Sequence, residues 1–171
     1  MEIIKLQIKG IYRDELTDVT GQLIYQSDWK RNTIVESCRI FLAKVMSAGD
    51  IDASPLGIQS LAVGRGQASW DTDGTPPSTE SQTQLVDTAA TITALTINYL
   101  DSNDEIVPVG GDLTSRIQIR ATLEAGEALP LREFGLIGQV DNQNHLLNYV
   151  THPVIHKDQL TTLTRTIRLY F

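Results

Sequence analysis

Apolar residues recur at every second position in short runs along most of this chain, and a period of two leaves extended strands as its main option. Ile4, Leu6 and Ile8 alternate with Lys5, Gln7 and Lys9 at the start. After the turn-like Asp18-Val19-Thr20-Gly21, a second strand over 21–27 carries Leu23 and Tyr25 on one face, which predicts a hairpin. Further strands are expected over 58–63, 89–99, 105–109, 113–123, 133–138, 145–150 and 160–171. In 113–123, Leu113, Ile117 and Ile119 oppose Arg116 and Arg120. Turn residues at Asp101-Ser102-Asn103-Asp104, Gly110-Gly111, Ala125-Gly126 and Asp141-Asn142 separate the later runs. The fold expected is mainly β: an antiparallel β-sandwich of about seven to nine strands with one α-helix at about 34–47, in a single domain over 1–171.

That helix is the exception to the period. Thr33 and Glu36 have the spacing of a capping box, and Ile34, Cys38, Phe41, Leu42 and Val45 then form one apolar stripe. Gly49 stands where a C-terminal cap is wanted. Cys38 falls on the stripe and reads as a small core residue. It is the chain's one cysteine, so an internal disulfide framework and a cysteine-rich zinc site are excluded.

Between two strand regions, the stretch 67–84 is nearly bare of apolar residues, with Trp70 its one large apolar group. A long polar loop of this kind is functional or disordered, and Trp70 is placed to pin it to the body. The 14 basic and 21 acidic residues give a net charge of −7. With no basic run longer than Lys30-Arg31, no nucleic-acid partner is expected. No run of apolar residues is long enough to span a bilayer as a helix, so no membrane insertion is expected. The opening MEIIKLQIKG lacks the basic stretch and apolar block of a secretory signal.

Several motifs touch on chemistry without completing it. Gly64-Arg65-Gly66 follows a strand but lacks the third glycine and the Lys-Ser/Thr pair of a phosphate loop; the glycines read as a backbone turn. Asp71-Thr72-Asp73-Gly74 with Glu80 resembles part of a calcium loop, although Thr75 holds the third ligand position and two prolines follow. His152 and His156 are four apart, with Pro153 between them and extended-chain residues around them, so a metal pair is not expected. Neither Gly-x-Ser-x-Gly nor Ser-x-x-Lys occurs. Glu133 is the one acid inside an apolar strand; it reads as tied to Arg or backbone donors or as facing out at a sheet edge, and would act as an acid only if it lined a cleft. No cofactor is expected, and catalysis is not the reading.

Taken in order, the segments do resemble a family. Asn32-Thr33-Ile34-Val35 opens the helix, and Ile58-Gln59-Ser60-Leu61-Ala62-Val63-Gly64-Arg65-Gly66 follows. Leu131-Arg132-Glu133-Phe134-Gly135-Leu136-Ile137 comes later, and Leu163-Thr164-Arg165-Thr166-Ile167-Arg168-Leu169 closes the chain. This succession is similar to small bacteriophage tail proteins and to the collar-like N-terminal domains of tail fibres. The resemblance implies a structural subunit of a phage tail or phage-like contractile injection system, at the baseplate, collar or fibre attachment. It further implies a virion-tail location after assembly in the bacterial cytoplasm, other tail or baseplate subunits as partners, and a homo-oligomer, trimer or hexamer. Trp70, Gly64, Gly66, Glu133 and Gly135 are the candidate interaction or structural residues, with the 67–84 loop as an arm that orders on a partner. The alternative is a carbohydrate-binding β-sandwich using Trp29, Trp70 and Tyr99.

Overall fold

Eleven strands and two helices succeed one another along the residues that the computed structural model describes, 7–47 and 55–171. In chain order they are β1 (Lys9–Thr17), β2 (Leu23–Gln26), β3 (Lys30–Ile34), α1 (Glu36–Ser47), β4 (Gly57–Gly64), α2 (Trp70–Asp73), β5 (Thr88–Ile92), β6 (Leu95–Tyr99), β7 (Arg116–Leu123), β8 (Leu129–Val140), β9 (Gln143–Leu146), β10 (Asn148–Lys157) and β11 (Thr162–Tyr170). The fold is mainly β and antiparallel, as the alternation requires. The strands form one continuous sheet in the order β5-β4-β8-β10-β3-β1-β11-β7-β6, with β2 beside β1 and β9 beside β8. Both ends of that path are consecutive strands, and β5 approaches β7 as β4 approaches β6, so the sheet rolls up in a barrel-like form.

Alternation decides what each strand buries. Tyr12 of β1, Ile119 and Ala121 of β7, and Leu163, Ile167 and Leu169 of β11 face the interior with Leu131, Phe134 and Leu136 of β8. On β1, β7 and β11 the residues of opposite parity face outward, while Arg165, two places from both Leu163 and Ile167, shares their inward face. The switch from Leu131 to Phe134 changes parity, and it occurs where the β8–β10 register shifts between Thr151 and Ile155. Pro153, which has no N–H to donate, sits in that irregular stretch. Cys38 and Phe41 of α1 complete the core, and burial pushes the Cys38 thiol up to about 11, so it is an inert packing residue.

A second, smaller apolar cluster lies on the outer face of the same sheet. Val35, Ala62, Leu146 and Tyr149 are covered there by Leu85, which comes from the segment after α2. The polar stretch 67–84 is therefore laid across the sheet as a strap and contains the short helix α2.

Several expectations are corrected. The helix begins at Glu36, because Thr33 and Ile34 pair with Tyr149 and Asn148 of β10 as part of β3. Thr33 is thus no capping residue; the Glu36 N–H donates instead to the strap carbonyl of Glu80 at 2.7 Å. The stretch 89–99 divides at Thr93-Ala94 into β5 and β6, and 105–109 contributes only the bridge Leu100–Ile106. The hairpin into β2 does form, with β1 (Lys9–Thr17) as its first strand, and every β2 residue is exposed. Ile4, Leu6 and Gly49 lie outside the described residues.

Candidate functional site

The residue types singled out in two separate motifs meet at one point. Glu133 of β8 is fully buried on the strap side of the sheet. Its Oε1 accepts from the Asp87 N–H at 2.7 Å and the Gly66 N–H at 3.2 Å, and its Oε2 from the Val86 N–H at 2.9 Å and the Tyr149 hydroxyl at 2.7 Å. Four neutral donors replace the water that burial removed, which is how a carboxylate survives in such a place. The reading of Glu133 as tied to backbone donors is what the geometry shows. Burial, then the bond to Glu133, pushes the Tyr149 hydroxyl up, so it remains a donor at every physiological pH.

The glycines of the motifs are demanded by close approach. A Cβ on Gly64 would stand 2.5 Å from Glu133 Oε1 and 2.7 Å from the Asp87 carbonyl oxygen. A Cβ on Gly135 would meet the Asn148 carbonyl oxygen at 2.6 Å and also strike the Leu146 side chain. Gly66 adopts φ of +59° and lies directly under the Trp70 ring, so here both backbone and space require glycine.

Next to the clamp, Arg132 fastens α2. Its guanidinium grips Asp71 bidentately, Nε to Oδ1 at 2.8 Å and Nη2 to Oδ2 at 2.6 Å, and Nη1 donates to the Arg65 carbonyl at 2.9 Å. The Arg132 bond holds the Asp71 carboxyl below the usual carboxylate range. Trp70 is buried against Gly66, as a pin should be. Further along, the Ser78 hydroxyl accepts from the Thr151 N–H at 2.9 Å, and the Pro76 carbonyl accepts from the Thr151 hydroxyl. Within this chain the loop is laid down as a strap, fixed at Trp70, Asp71, Pro76, Ser78 and Glu80. The calcium reading of Asp71-Thr72-Asp73-Gly74 fails for the same reason: Asp71 is taken by Arg132, and the segment is helical.

A second polar centre lies inside the barrel. Asp14 and Arg165 are cross-strand partners on β1 and β11, both buried, joined Nε to Oδ1 at 2.5 Å and Nη2 to Oδ2 at 2.9 Å. The Arg165 guanidinium lies 3.8 Å over the Phe134 ring and also contacts His152 Nε2 at 3.3 Å. Arginine can only donate, so His152 Nε2 is the acceptor and Nδ1 carries the proton, given to the Pro153 carbonyl at 2.8 Å. Burial and then the Arg165 charge push His152 down to about 4, leaving it neutral with its lone pair committed. A metal pair with His156 is excluded by that commitment. Asp14 and His152 also border an open cavity of about 390 Å³, together with Leu16, Tyr25, Lys30 and His156. It lies where β2 and the far half of β10 pair with β1 and β8 but not with one another.

This interior pair carries a signal in the sequence. Asp14 interrupts the inward series Tyr12–Leu16, and Arg165 the series Leu163–Ile167, each putting a charge where an apolar residue belongs. The aromatics expected for sugar stacking are largely engaged: Trp70 is buried, and Trp29 carries the guanidiniums of Arg13 at 4.9 Å and Arg168 at 4.4 Å over its ring. Comparison of the chain with family models, curated proteins and solved structures finds no match.

Proposed function

We propose that this chain is a structural subunit of a phage tail or phage-like contractile injection system, acting by protein–protein assembly at the baseplate, collar or fibre-attachment region. The observation that carries the reading is the use made of the motif residues. Gly64, Gly66, Trp70 and Glu133 converge on one strap clamp, and Gly135, two residues along β8, makes room for β10 and for Leu85 at the end of the strap, so the ordered motifs that resemble tail proteins serve one structural device. The acid and the histidine most suited to chemistry are both spent on internal hydrogen bonds. A rigid barrel with a fastened strap offers neighbours a preformed surface, which lowers the ordering cost of assembly.

Co-expression with the reading frames that flank its own, followed by electron microscopy with gold-labelled antibody against a tag on this chain, tests the reading. Label at a fixed place on tail-like particles supports it. A chain that never enters particles overturns it, and glycan binding by the isolated protein would then favour the carbohydrate alternative.

A further inference from the structure

The outer face of β3, β1, β11 and β7 gathers basic side chains that are scattered through the sequence. One cross-strand row is Lys9, Tyr170 and Arg116; the next is Arg31, Ile11, Arg168 and Gln118; a third is Arg13, Thr166 and Arg120. Each belongs to the alternate set that the core leaves facing outward. Strand spacing and rise make this patch about 14 Å by about 13 Å. Its paired carboxylates are Glu15, 3.5 Å from Arg13, and Asp104, 3.1 Å from Arg116 and 3.6 Å from Arg168. Six basic and two acidic groups on one face leave eight basic and nineteen acidic side chains for the rest of a chain of net charge −7.

The acidic counterpart lies across the barrel. The strap covers β4 and β8, which stand five and four places from β11 along the nine-strand path. Asp73 and Asp87 on this side are exposed, with Glu124 and Glu127 nearby on the loop after β7; Arg132 neutralises Asp71, and Arg65 stands 3.8 Å from Asp87 and 4.0 Å from Glu127, so carboxylates remain in excess. Opposed faces of opposite sign on one subunit fit a head-to-tail contact.

We propose that the basic β3-β1-β11-β7 face docks on the acidic strap face of a second copy of this chain. The inference rests on the assembly reading and names its contact. Such a heterologous interface repeats from copy to copy and closes into a ring or continues as a stack. A nucleic acid is the poorer occupant, because Trp29 is covered by two guanidiniums and offers no open ring for base stacking. The patch is smaller than the roughly 800 Å² per partner of a stable pair, so each contact is weak and salt-sensitive and gains from repetition.

Sedimentation velocity of the purified chain between about 30 mM and about 500 mM salt tests this, since exposed charge pairs lose their attraction over that range. Two double variants use exposed groups outside the clamp: Arg31→Glu/Arg120→Glu on the basic face, and Asp73→Lys/Glu127→Lys on the acidic one. The wild type is expected to associate at low salt and dissociate at high salt. Each double variant alone should associate at least about tenfold more weakly, with unchanged thermal unfolding, and an equimolar mixture should form a heterodimer. Association that ignores salt and both variants overturns this contact while leaving the assembly reading standing. A wild type that stays monomeric, or that binds a fluorescein-labelled single-stranded DNA through Arg31 and Arg120 instead, overturns it outright.

Discussion

Among the described residues two carboxylates are buried in this barrel, and they are kept by opposite means. Glu133, on the strap side, has no cation against it among the described residues and is held by three backbone N–H groups and a tyrosine hydroxyl. Asp14, inside, is held by a guanidinium in bidentate geometry, with a neutral histidine behind it. Neutral donors drawn from the chain itself tie a particular segment to a particular place, so the Glu133 centre specifies the path of the strap. A countercharge ties two side chains on adjacent strands that would pair in any case. The interior pair therefore adds little that the ladder does not already provide, and matters mostly when half of it is removed.

The sharpest break in the comparison is at Asp14. Asp14→Ala strands a buried guanidinium and should cost about 3–5 kcal/mol in urea unfolding, whereas Asp14→Leu/Arg165→Met should come within about 1 kcal/mol of the wild type or exceed it. A double variant as unstable as the single would show that the pair does specify structure.

Next is acid sensitivity. His152 is held neutral with its pKa near 4 against an ordinary 6.5, so the unfolded chain binds its proton first as pH falls. Its contribution is complete above about pH 6.5 and is lost progressively down to about pH 4, on the order of 3 kcal/mol in all. His152→Gln, which keeps an acceptor for Arg165, should flatten that part of the stability–pH curve relative to the wild type; superimposable slopes would reject the assignment.

The smallest global effect is at the clamp. Glu133→Gln puts an N–H₂ against N–H or O–H donors and weakens charge-assisted bonds, costing about 2–3 kcal/mol. Its distinctive sign is local: amide hydrogen exchange should rise first at Gly66, Val86 and Asp87, while β1 and β11 stay protected. Uniform loosening would mean that the strap and barrel are one cooperative unit.

Glu133 stands out in the sequence because an acid among Leu131, Phe134 and Leu136 has to be satisfied by something nearby. What satisfies it is hidden there, since Gly66, Val86, Asp87 and Tyr149 approach from three other segments. The strap has the composition of a free loop because its anchors, Arg132 and Thr151, lie far along the chain from the groups they hold. The capping-box spacing at Thr33 misleads because β10, over a hundred residues away in sequence, claims that residue for a strand.

Local period and local sterics belong to the sequence, and they suffice for an antiparallel, mainly β chain with one substantial helix, a core cysteine, and glycines where the backbone must turn or be approached. Charge distribution does not follow from them. Basic residues from Lys9 to Arg168 form one face only because a rolled sheet sets alternate positions of distant strands side by side. Pairing partners are chosen by nonlocal contacts, and no count along the chain contains them.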